Sequence, residues 1–182
     1  MGSYSYRISA VTALSGFLFG FDTAIINGAI VFLRRQFAWS DWETEFAASS
    51  LLAGCAVGAG VAGMLSDRFG RRRVLLLAAV IFAFSSVATA LPENLAQFAA
   101  ARIVAGLAIG IASMLAPLYI AEVSPAAIRG RLVSMNQLAI VLGILVSYLA
   151  GWGLAGLGDA SWRWMFASAA GPSLLFFAAL FF

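Results

Sequence analysis

Six apolar stretches, separated by short charged or polar loops, leave this chain of 182 residues few choices of fold. They cover residues 8–33, 46–65, 74–91, 95–120, 132–154 and 164–182. Each runs for about 18 to 26 residues, enough to cross a hydrocarbon core of ~30 Å at ~1.5 Å per residue. Lipid offers backbone N–H and C=O groups no partners, so each span must satisfy them internally, as a helix. With 63% hydrophobic and 10% charged residues, the chain carries more apolar surface than one soluble core of this size can hide. The expected fold is therefore all-α, an integral membrane domain of six transmembrane helices over residues 1–182. No basic n-region and cleavage site precede the first stretch, which reads as a retained span.

The polar inventory excludes several chemistries. Histidine is absent and cysteine occurs once, at Cys55. A disulfide within the chain is ruled out, and neither a Cys/His metal site nor a cofactor is expected. Catalysis by a histidine base goes with them, so the chain does not read as an enzyme. The net charge of +3 comes from eleven arginines against eight acids. These arginines cluster in short loops between spans, a distribution that points to topology and not to nucleic acid.

Seven arginines (Arg7, Arg68, Arg71, Arg72, Arg73, Arg129 and Arg131) fall on one side of the membrane, and Arg34, Arg35 and Arg163 on the other. The positive-inside rule places the first side in the cytoplasm, with both termini. Trp39, Trp42, Trp152, Trp162 and Trp164 all come at the outer boundary, where one aromatic belt is expected. Gly16/Gly20, Gly54/Gly58 and Gly106/Gly110 are four residues apart, a spacing that lets helix backbones approach closely in lipid.

Asp22 and Arg102 are the ionisable side chains well inside the apolar stretches. Near a helix centre each costs at least ~2.5 kcal/mol alone. Asp22 lies about 21 Å along an outward-running helix, and so about 9 Å below the outer face of the core. Arg102 lies about 10 Å from the outer end of an inward-running one. Opposite charges at one depth are expected to pair, since pairing offsets part of each desolvation cost. Such a pair is either a static salt bridge between the first and fourth helices or a protonation switch, because burial and a neighbouring guanidinium act on a carboxyl in opposite directions. Among the other polar residues in the spans, Gln137 has an amide able to donate to and accept from a hydroxyl group, or to bond another helix.

The cytoplasmic loops add a further pattern. Gly63-Met-Leu-Ser-Asp67-Arg68-Phe-Gly70-Arg71-Arg72-Arg73 follows the second span, and Glu122-Val-Ser-Pro125-Ala-Ala-Ile-Arg129-Gly130-Arg131 follows the fourth. Arg71, Glu122 and Arg129 read either as a latch of bidentate pairs or as a solvated positive-inside loop, which accounts for the arginines but not for Glu122 and the glycines. The first loop resembles the signature loop of the major facilitator superfamily. The second resembles the loop after helix 4 of its sugar porters. Gly16-Phe-Leu-Phe19-Gly20-Phe21-Asp22-Thr23 is similar to helix 1 of sugar/proton symporters, Gln137-Leu138 to their helix 5 motif, and Trp162-Arg163-Trp164-Met165 to the start of their helix 6.

The resemblance implies one half of a major-facilitator fold, two three-helix inverted repeats, moving a sugar by alternating access. It further implies proton coupling through Asp22 with Arg102, sugar contacts from Gln137 with Phe19 beside it, and a cytoplasmic gate of Asp67, Arg68, Arg71, Glu122 and Arg129. Phe21 departs from the usual tyrosine, Ala101 from a glycine, and Ile144 from a second glutamine that some symporters carry. Expected partners are a small sugar, protons and membrane lipid, in the cell membrane. Sugar porters usually have twelve helices, so the chain reads either as half of a longer porter or as one copy of a homodimer, in which the family's pseudo-two-fold becomes a true one. Six helices alone are expected to leave Asp22 and Gln137 on a face that the other half covers. An uncoupled facilitator, with the pair merely structural, and a non-transporting fragment are the competing expectations.

Overall fold

The computed structural model describes residues 2–181, with side chains from residue 8 onward, so the side chain of Arg7 lies outside the described residues. The elements are α1 (Gly2–Phe37), α2 (Asp41–Phe69), α3 (Arg71–Thr89), α4 (Leu95–Val123), α5 (Arg129–Leu154), a short 3₁₀ turn (Ala155–Leu157), α6 (Ser161–Ser168) and α7 (Ala170–Ala179). Five helices among the described residues are long and apolar enough to cross a membrane. Helices α1, α2, α4 and α5 outrun their apolar stretches, because polar residues at their ends continue the same backbone bonding.

Local chemistry sets the turns. Ser40 and Glu43 form a capping box at the start of α2: the Ser40 N–H donates to Glu43 Oε2 at 2.8 Å, and the Glu43 N–H to Ser40 Oγ at 3.3 Å. The Ser40 backbone and hydroxyl together hold the Glu43 carboxyl below the usual range. Asn94 caps α4 by accepting from the Gln97 N–H at 2.9 Å. Helices α2 and α3 are joined by Gly70 alone, at φ 85° and ψ 147°, a conformation that favours glycine.

The sixth span differs from the single helix expected over 164–182. It is two helices that meet at Ala169. Pro172 has no N–H to give the carbonyl of Ser168, and its ring crowds that carbonyl, so the ladder breaks one turn before the proline.

Two glycine seams set the packing. A Cβ on Gly54 or Gly58 would lie 2.1 Å from the Ile103 carbonyl oxygen or 2.2 Å from that of Leu107. A Cβ on Gly106 or Gly110 would reciprocally meet the carbonyl oxygens of Leu51 at 2.0 Å and Cys55 at 2.2 Å. Helices α2 and α4 thus touch backbone to backbone, as the small-residue spacing predicts. Gly20 against Ile140 and Gly143 against Phe17 join α1 to α5 in the same way. Helix α1 also packs on α4, so the two pairs share a centre. Behind them, α3 is tied to the sixth span at three levels. Arg72 Nε donates to the Leu180 carbonyl at 2.7 Å, Ser173 Oγ to that of Ala79 at 2.9 Å, and Arg163 Nη1 to that of Ala90 at 2.8 Å.

The tryptophans do not form one lipid-facing belt. Trp42, Trp152 and Trp164 are exposed, but Trp39 and Trp162 are buried. Both stack into a cluster with Phe37, Phe98 and Phe166, and Trp162 Nε1 donates to Gln36 Oε1 at 2.7 Å. An indole that finds an internal hydrogen bond has no need of the interface.

Candidate transport site

The packing of α1 on α4 brings the two interior charges together. Arg102 Nη1 donates to Asp22 Oδ2 at 2.7 Å, and the residues are 0% and 2% exposed. The matched depths read from the helix rise are thus borne out. The guanidinium carbon also lies 5.2 Å from the centre of the Phe166 ring, on α6. Arg102 Nε and Nη2 are buried without a hydrogen-bond partner. The pair faces the interior of the bundle, which corrects the expectation that Asp22 stands on an open face. Phe166 had no marker in the sequence, being one aromatic in an apolar run.

Gln137 does stand open. It is exposed on α5 and forms no hydrogen bond among the described residues. Its neighbour Asn136 is buried in the α1–α5 seam beside Gly16, with Oδ1 unpaired. Phe19 is half-buried, next to the Gly20 of the same seam, so both residues border one helix junction. About three turns outward on α5, Tyr148 accepts from Asn27 Nδ2 at 3.3 Å. These two residues border a cavity of about 260 Å³ that Phe32, Trp152 and Met165 also line.

At the end of the bundle where α2 meets α3, Arg71 gathers several partners. Its Nε and Nη2 reach Glu122 Oε2 and Oε1 at 3.3 and 3.2 Å, a bidentate pair between the start of α3 and the end of α4. Its Nη1 donates to Asp67 Oδ1 at 2.8 Å and to the Ser66 carbonyl at 3.2 Å. Two of the expected gate residues stay outside this knot. Arg68 lies over the Phe69 ring at 5.4 Å, and Arg129 is exposed with no carboxylate partner among the described residues. Arg71, at the start of α3, takes both oxygens of Glu122 in the bidentate pair that the latch had shared with Arg129.

The family model described as "Sugar (and other) transporter" matches residues 8–182. A glucose transport protein of Synechocystis is 46% identical over 93% of this chain and 38% of its own length. The D-xylose-proton symporter of Escherichia coli K12 is 41% identical over 98% of this chain and 43% of its own. The solved structure of the major facilitator superfamily proton:xylose symporter XylE, bound to 6-bromo-6-deoxy-D-glucose, superposes with a TM-score of 0.94 at 39% identity, covering 99% of this chain and 45% of that one. The chain thus spans less than half the length of these relatives. It belongs to the sugar transporter family and corresponds to the amino-terminal six-helix half of a major-facilitator sugar porter.

Proposed function

We propose that this chain carries the proton-coupling half of a sugar symporter of the cell membrane, working by alternating access with both termini in the cytoplasm. The observation that carries this reading is the Asp22–Arg102 pair, closed off from solvent at the junction of α1 and α4. Two charges so placed are expensive, and intramembrane ionisable groups mark proton and substrate pathways. The glucose and xylose-proton relatives support a monosaccharide as the cargo.

In this reading a proton arriving at Asp22 Oδ2 removes the charge that Arg102 Nη1 holds, and α1 and α4 lose their strongest mutual contact. Each carries its seam partner along, α5 with α1 and α2 with α4, so a local charge change moves both pairs. Gln137, with Phe19 beside it, offers the sugar an amide hydrogen bond and an apolar ring. Asp67, Arg71 and Glu122 close the cytoplasmic end, with Arg68 and Arg129 on the same side of the membrane. The open face of α5 is covered by a second six-helix unit, or by a second copy of this chain.

Asp22→Asn tests the coupling. The amide keeps the shape and cannot exchange a proton. In proteoliposomes of the transporter that contains this chain, accumulation driven by a pH gradient is expected to vanish while sugar exchange persists. Continued uphill accumulation by the variant would rule out coupling at Asp22 and favour a structural pair.

A further inference from the structure

A proton on Asp22 relieves the carboxylate and strands the guanidinium. Arginine stays charged in proteins, so Arg102 must remain a cation inside the core after its counter-ion is gone. Its surroundings give it little else. Nε and Nη2 have no acceptor now, before any proton arrives. Among the described residues, the elements around it bring no other charge to this depth. Arg163 and Arg71–Arg73 lie at the membrane surfaces, and Cys55 on α2, Tyr119 on α4 and Tyr148 on α5 have side chains that are ordinarily neutral at pH 7. The electron-rich group against the guanidinium is the Phe166 ring, 5.2 Å away and 1% exposed. A desolvated ring face is where a cation is held most firmly.

The ring is also fixed in place. Phe98 meets it edge to face, with centroids 5.5 Å apart and planes at 72°, and Phe98 is wedged in turn against Trp39 and Trp162. A face so braced cannot turn away when the ion pair opens. We propose that Phe166 is a positioning residue for proton coupling: its ring is the seat that keeps the Arg102 guanidinium in the core while Asp22 is protonated. This rests on the coupling role of Asp22 proposed above. The ring touches the cation in both states but matters more when the carboxylate is neutral, so it favours the protonated form.

The test replaces Phe166 with mono-, di- and trifluorinated phenylalanine, which keeps the shape and progressively drains the ring face. The transporter is held in lipid nanodiscs, and the protonated Asp22 carboxyl is followed by infrared titration, its band assigned by its loss in Asp22→Asn. The band is expected to appear at progressively lower pH, by up to about one unit across the series, with thermal stability nearly constant. Phe166→Leu should match the end of the series. A titration midpoint that does not move with fluorination would overturn the seat and leave Phe166 as packing. Absence of any titrating band in the unmodified protein would instead overturn the coupling reading beneath it.

Discussion

At the scale of single residues, the Asp22–Arg102 contact is the costliest feature of the bundle and the one most open to test. Removing one partner leaves the other charge buried and unpaired, a loss of about 3 to 5 kcal/mol. Arg102→Ala should therefore melt well below the parent protein in detergent at about pH 8, and less far below it at low pH, where a proton on Asp22 replaces the missing counter-ion. Asp22→Asn combined with Arg102→Ala should recover most of that loss, because no bare charge remains. A double variant as unstable as the single one would mean that the arginine acts through packing alone. This pair was legible in the sequence because charge is rare there and helical rise fixes depth. Which way the pair faces was not legible, since depth says nothing of azimuth. Phe166 was invisible for the same reason: an aromatic in an apolar run gives no sign of which side chain it will meet. The contact of Glu122 with an arginine was legible in the loop sequences, but which arginine reaches it depends on the direction in which α3 leaves Gly70.

Among the helices, backbone contact at the glycine seams does what bulky side chains do in a soluble core. Gly58 and Gly60 make a matched pair on one helix. A methyl at Gly58 would press on the Leu107 backbone, whereas at Gly60 nothing lies within 4 Å. Gly58→Ala should cost about 1 to 3 kcal/mol by forcing α2 off α4. Gly60→Ala should be neutral, or raise stability slightly through helix propensity. Equal melting temperatures for the two variants would contradict the seam. The order of the apolar spans follows from hydropathy alone, and the glycine spacing foretold the close approach. The break in the sixth span was written in Pro172, yet six apolar runs of similar length masked it. Two of the five tryptophans, Trp39 and Trp162, were given the wrong surroundings, because an indole suits a lipid interface and a buried cluster equally well.

For the whole molecule, the question is what covers α5. Gly143, Ser147 and Gly151 face inward, while Leu138, Val141, Leu142, Leu145 and Leu149 are exposed along with Gln137. A purely apolar face would be content in lipid; one that carries Gln137, with Asn27 and Tyr148 about three turns farther along, seeks protein or water. Expressed as written, the chain should form two-fold dimers across this face, observable by native mass spectrometry from nanodiscs. A strictly monomeric chain that still binds sugar would exclude that arrangement. The case for a dimer is narrower than the sequence made it, because Asp22 is interior and only the amide side of the site is open.

The two seams also join spans that are not neighbours along the chain: α1 waits for α5, and α2 for α4. Arg102 follows Asp22 by 80 residues. At roughly 5–20 residues per second, a ribosome delivers the arginine about 4 to 16 seconds after the acid. Through that interval the first helix has neither its counter-ion nor its backbone partner, and a lone carboxyl in hydrocarbon resolves its charge by taking up a proton. The order of synthesis thus leaves Asp22 without its counter-ion until the fourth helix arrives, so that closing the ion pair is a late step in assembly of the bundle.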